Sequence, residues 1–154
     1  MDKKHPAYRY AMDVAKESVN TPKFVKLQVK EFLNIANNKD RRYAIDDNKV
    51  RTIGELLKLL IMPKGLRAKS TVYDAMAGFQ WFFIIAILCT VERDNTEKRR
   101  YENAILEICR KNGKTFIIAV LFILLFFIEP KFSKFYSVAP DGSLSREIKT
   151  AIEE

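Results

Sequence analysis

Ile108-Cys109-Arg110-Lys111-Asn112-Gly113-Lys114-Thr115 runs without a break into thirteen apolar residues, Phe116 to Ile128. A loop that cradles phosphate needs successive backbone amides turned inward, a lysine for the β- and γ-phosphate oxygens and a hydroxyl for the metal. It must also open a helix, so that the positive end of the helix dipole faces the anion. Gly113-Lys114-Thr115 supplies the end of that pattern, with an apolar run before it and an apolar helix after it. The pattern G-x-x-x-x-G-K-[ST] fails at its first glycine, where Ile108 stands. The bland alternative is a solvent-exposed basic turn. Gly-Lys-Thr alone does not separate the two; the flanking elements argue for nucleotide.

Downstream and upstream of that loop the pattern predicts a sheet. Ala104-Ile105-Leu106-Glu107-Ile108-Cys109 is short, apolar and partly β-branched, as a strand is, with Cys109 as core rather than nucleophile. Phe135-Tyr136-Ser137-Val138-Ala139 reads as a second strand, closed by Pro140. Asp141 then caps a helix carrying Leu144, Ile148, Ala151 and Ile152 on one face. Strand, helix, strand and helix in that order predict a parallel α/β sheet, which two strands cannot complete alone.

The preceding residues read as helices. Thr21-Pro22 is an N-cap with proline at the first helical position, and Val25, Val29, Phe32, Leu33 and Ala36 form one apolar stripe behind it. Thr52-Ile53-Gly54-Glu55 is a capping box, with Ile53, Leu56, Leu57, Leu60 and Ile61 as the stripe and Pro63 with Gly65 as the stop. A third helix is predicted from Ser70-Thr71 to about Thr90, followed by a polar connector, Glu92 to Arg100. The domains read as a helical region over 1–70 and the α/β portion over 71–154.

Of 154 residues, 48% are hydrophobic and 30% charged, which excludes a disordered or collagen-like chain. Net charge is 27 − 19 = +8. Residues 1–71 hold 16 basic and 8 acidic side chains and residues 72–154 hold 11 of each, so an anionic partner should meet the first half. Two cysteines and one histidine, His5, exclude a disulfide scaffold or a zinc site; His5 reads as a solvated terminal residue. The N-terminus has no apolar stretch of the kind a secretory signal carries. A rival reading is a small two-helix membrane protein with basic cytosolic segments. It meets a length problem: residues 116–128 span roughly 20 Å and residues 75–91 roughly 26 Å, against about 30 Å of hydrocarbon. A third reading is a helical DNA- or protein-binding module whose Gly-Lys-Thr is accidental.

Three elements in order resemble the large terminase subunit of tailed bacteriophages, the ATP-driven motor that packages viral DNA into the capsid. Arg110-Lys111-Asn112-Gly113-Lys114-Thr115 is similar to that family's variant phosphate loop, which lacks the first glycine. Phe79-Gln80-Trp81-Phe82, thirty residues upstream, resembles its adenine-reading glutamine among aromatics. Tyr136-Ser137-Val138-Ala139-Pro140, with Ser145-Arg146-Glu147 behind it, resembles the strand and helix that follow the loop. Tyr10 to Asn38 is similar to the family's N-terminal region, less specifically.

The resemblance implies an incomplete parallel-sheet P-loop NTPase over 71–154, an N-terminal portion of a terminase ATPase. The acidic strand that holds Mg²⁺ and polarises water, and the nuclease domain, are expected beyond Glu154. It further implies ATP and Mg²⁺ as cofactors. Lys114 would hold the β- and γ-phosphates, Thr115 the Mg²⁺ through its hydroxyl, the backbone of Asn112 and Gly113 the anion, and Gln80 the adenine. Arg110 or Lys111 is the candidate phosphate sensor. Double-stranded DNA, the small terminase subunit, the portal and further copies are the implied partners, in the host cytoplasm. What the basic helices with Lys23, Lys26, Lys30, Arg41 and Arg42 face stays open between DNA, a neighbouring subunit and the small subunit. Without the acidic strand, nucleotide binding without turnover is expected.

Overall fold

A computed structural model describes residues 1–62, 67–138 and 142–153. The chain divides into two compact units, one of residues 1–62 and 67–104, the other of 105–138 and 142–153. Among the described residues there are seven helices and one two-stranded antiparallel sheet. The expected parallel α/β sheet is therefore corrected: the chain is mostly helical and does not have the parallel-sheet P-loop fold.

In the first unit, α1 (Pro6–Ala15) places Pro6 in its first turn, where a missing N–H does no harm. Its cap is His5, whose Nδ1 accepts from the Ala7 amide at 3.2 Å. α2 (Lys23–Ala36) carries the expected stripe, with Val29, Phe32 and Ala36 buried and Ile35 added to it. Thr21 does not cap it; Pro22 stands at the N-cap, and the Thr21 hydroxyl is buried with no hydrogen-bond partner among the described residues.

α3 (Asp47–Leu59) starts five residues before the expected Thr52. Asp46 Oδ1 accepts from the amides of Asn48 and Lys49 at 2.9 and 3.1 Å. An aspartate cap one turn and a half earlier wins because nothing between it and Thr52 breaks a helix. Leu60 leaves α3 in an extended conformation, and exposed Ile61 pairs with Thr71 instead of continuing the stripe. The expected stop at Pro63 and Gly65 lies outside the described residues.

The single helix expected from Ser70 to Thr90 is two. Thr71 caps the short α4 (Val72–Ala75) by accepting from the Asp74 amide at 3.1 Å, and Met76-Ala77 is extended. α5 (Gly78–Cys89) begins at a point of close approach: a Cβ on Gly78 would lie 3.0 Å from Tyr10 Cβ. That atom is fixed to the α1 backbone, so Gly78→Ala should force the two helices apart and cost about 1–3 kcal/mol. A chemical-denaturation midpoint measures it.

α5 is apolar all round because it is the centre of this unit. Trp81, Ile84 and Ile85 are wholly inaccessible, and α5 packs against α1 and α3. Ala7, Ala11 and Val14 of α1, Phe32 of α2, and Ile53 and Leu57 of α3 complete the core. β1 (Tyr43–Ile45) and β2 (Thr90–Glu92) pair in the register Tyr43↔Glu92, Ala44↔Val91, Ile45↔Thr90. Arg42 and Lys98 hold the Glu92 carboxylate at 3.0 and 3.2 Å, and the Arg42 hydrogen bond keeps it below the usual carboxylate range. Arg100 pairs with Glu31 and lies 4.2 Å from the Tyr43 ring centre. Those contacts tie the polar connector down to α2 and β1.

His5 is not a solvated terminal residue. Its ring is half-buried and stands at 88° to Trp81, centroids 5.0 Å apart. Burial lowers its pKa to about 4, against a smaller opposing pull from Asp2. The unfolded chain takes up that proton near 6.5 and the folded one only near 4, so stability should fall as pH drops through this window and level below it. Allowing for partial exposure, the loss is on the order of 2 kcal/mol. His5→Asn keeps an acceptor at the cap and does not titrate there. Urea melts at pH 7 and pH 4 should show a smaller pH-dependent loss in that variant.

The second unit holds α6 (Lys114–Ile128), which appears where the apolar run predicted it, and α7 (Gly142–Glu153) packed against it. Ile117, Ala119, Val120 and Leu124 of α6 are buried, whereas Phe126 and Phe127 are mostly exposed. Ile148, Ala151 and Ile152 on α7 are half-buried. Asp141, the expected cap, and the Leu144 side chain lie outside the described residues.

Neither expected strand of this unit forms. Residues 103–109 and 133–138 are irregular, with Ile105 91% and Val138 92% exposed. A strand is stable only against a ladder partner, and none of the described residues offers one. Cys109 is exposed rather than core. Phe135 is held by the rings of Phe122 and Phe126, at 6.3 and 5.3 Å, while Tyr136 is exposed. Ala139 and Pro140 lie outside the described residues.

Candidate functional site

Of the six consecutive candidates, Arg110 to Gly113 form the turn that leads into α6, and Lys114 and Thr115 are its first two residues. Gly113 is its N-cap, at φ 77° and ψ 29°, in the left-handed region that glycine enters without a Cβ penalty. Its carbonyl accepts from the Ile117 amide at 2.9 Å, the first bond of the helix. Having no side chain, Gly113 cannot cap the amides above it, and among the described residues no other side chain does. Those first-turn amides are left without an intrahelical partner.

Lys111 is also left-handed, at φ 65°, and Asn112 between them is not. A non-glycine residue there is uncommon and costs about 1–2 kcal/mol. Arg110, Lys111, Asn112 and Lys114 are exposed, and Thr115 is half-buried. No acidic residue stands in the first turn of α6, although the dipole favours one there. The head of α6 therefore presents open amides and cationic side chains to solvent.

The element before the loop is not the strand the sequence suggested. What positions Gly113 is α6 itself, whose fifteen residues anchor the turn through the buried Ile117 and Val120. Left-handed Lys111 was not legible from residue type, since lysine has no preference for that region; the glycine was.

Gln80 belongs to the first unit and is 8% exposed. Its Oε1 accepts from the Ala77 amide at 2.9 Å, so it caps the start of its own helix. Trp81 beside it is core: its Nε1 donates to the Tyr73 carbonyl at 3.3 Å. Phe82 packs on Tyr10 and Phe32. Cys89 is buried, and burial pushes its thiol far above the ordinary range, away from nucleophile chemistry.

Mg²⁺ prefers oxygen donors and keeps phosphate and water among them. The Thr115 hydroxyl is an oxygen donor of that type, on a half-buried residue in the first turn of α6. Among the described residues no group of three or more His, Cys, Asp or Glu is placed to hold a metal alone. A metal at this loop would have to come with phosphate oxygens.

Also among the described residues, no helix is long and apolar enough to cross a membrane. α5 and α6, with 12 and 15 residues, reach about 18 and 22 Å at 1.5 Å per residue.

No protein-family model matches the chain, and neither does a curated protein nor a solved structure.

Proposed function

We propose that this chain derives from a phage large terminase subunit and that its Arg110–Thr115 loop binds the phosphates of ATP. One observation carries the reading: Lys111 and Gly113 are left-handed on either side of Asn112, immediately before the N-terminus of α6. A positive φ at Lys111 and at Gly113, with Asn112 between them outside that region, is a backbone pattern that supports an anion nest, in which successive amides turn toward one side. The resemblance of Arg110–Thr115 to that family's variant phosphate loop adds the family to that chemistry.

Lys114 supplies the charge for the β- and γ-phosphates, and Thr115 the hydroxyl for the Mg²⁺ that accompanies them. That ion neutralises phosphate charge when bound. Arg110 or Lys111, both exposed in the turn, is the proposed phosphate sensor. The proposal rests on residues 110–115 and not on Gln80, whose amide oxygen is engaged at its own helix. Double-stranded DNA, the small terminase subunit, the portal and further copies are the partners that accompany this reading, and the basic excess of residues 1–71 favours an anionic one.

Titration calorimetry of the full chain with Mg-ATP tests the reading. Saturable one-to-one binding, competed by ADP, is expected, with phosphate release no faster than in buffer. No heat of binding up to millimolar nucleotide would overturn it.

A further inference from the structure

The first unit carries a cleft of about 370 Å³ between α1 and α2 that the nucleotide reading does not use. Val14, Val29 and Leu33 line its base, and Lys26, Lys30 and Lys39 stand at its rim. Lys26, Lys30 and Leu33 share one face of α2, at i, i+4 and i+7. The rim has one carboxylate, Glu17, and Lys26 holds it at 2.9 Å. Lys30 and Lys39 form no ion pair among the described residues. The cleft is thus apolar below and carries two uncompensated cations above.

We propose that this cleft docks an acidic protein segment, in which one or two apolar side chains enter between α1 and α2 while flanking carboxylates meet Lys30 and Lys39. Charge complementarity and the apolar base together select that occupant. A DNA duplex would use the rim alone: its phosphates answer lysines, but its backbone has nothing to place against Val29 and Leu33. A segment with both an apolar anchor and carboxylates answers the apolar base and the lysines of the rim together.

The test uses the full chain and a fluorescein-labelled peptide of about a dozen residues, a Leu-Leu pair flanked on both sides by glutamates. Anisotropy should show saturable binding at low salt. Lys30→Glu combined with Lys39→Glu should weaken it about tenfold or more, which is roughly 1.4 kcal/mol, with an unchanged melting temperature. A Ser-Ser version of the peptide should lose a similar factor. Absence of saturable binding overturns the proposal. So does equal affinity of the Leu-Leu and Ser-Ser peptides, which would mean charge alone. A duplex DNA that outcompetes the peptide, and is itself released by the double variant, assigns the face to nucleic acid and overturns it as well.

Discussion

Lys114→Ala is expected to weaken nucleotide binding by about one to two orders of magnitude while leaving the fold slightly more stable. Lys114 is exposed at the first position of α6, so its removal opens no cavity. A cation at a helix N-terminus opposes the dipole by about 0.3–1 kcal/mol, and alanine is the better helix former. A charge-assisted hydrogen bond to phosphate is worth about 1.5–3 kcal/mol, so its loss weakens binding by roughly 10- to 150-fold. The two signs are opposed, which gives the experiment its force. Calorimetry reads the first and a thermal melt the second. If the variant binds Mg-ATP as the parent does, Lys114 is only a solvated cation.

Trp81→Ala should remove a large part of the first unit's stability. The ring is inaccessible and sits between two others, His5 at 5.0 Å and Tyr73 at 4.9 Å, both steeply inclined. Its indole N–H is bonded to the Tyr73 carbonyl. Truncating such a residue costs about 3–5 kcal/mol, against a total domain stability of about 5–15 kcal/mol. Trp81→Phe keeps most of the volume and should lose markedly less. Urea melts followed by circular dichroism compare the two, since the chain has no other tryptophan to report.

The helices were legible where periodicity or sheer apolar length decides. The α2 stripe of Val29, Phe32 and Ala36 is buried as its spacing required, and α6 begins one residue from where Thr115 placed it. Their ends were less legible, because a cap is a competition. Asp46 and Thr52 both qualify, and only the intact first turn after Asp46 decides between them.

The sheet was misread for a different reason. Residues 104–109 and 135–139 have strand composition, but a strand depends on what lies beside it, and an apolar run does not reveal its partner. The pairing that does form, Tyr43-Ala44-Ile45 with Thr90-Val91-Glu92, is three residues long and joins positions forty-five or more apart. Nothing in Tyr-Ala-Ile marks it. His5 was invisible likewise: its role depends on Trp81, seventy-six residues away. Of the candidate site, Gly113 was legible from residue type and the left-handed Lys111 was not.

The proposed anion nest in the turn ahead of α6 has nucleotide as its ligand. The most direct measurement is a ¹⁵N-resolved amide spectrum of the full chain titrated with Mg-ATP. Saturable shifts concentrated on the amides of Asn112, Gly113, Lys114 and Thr115 are expected, with saturation moved to much higher nucleotide concentration in Lys114→Ala. Shifts spread over the lysines of residues 1–71, or none at those four amides, would contradict it.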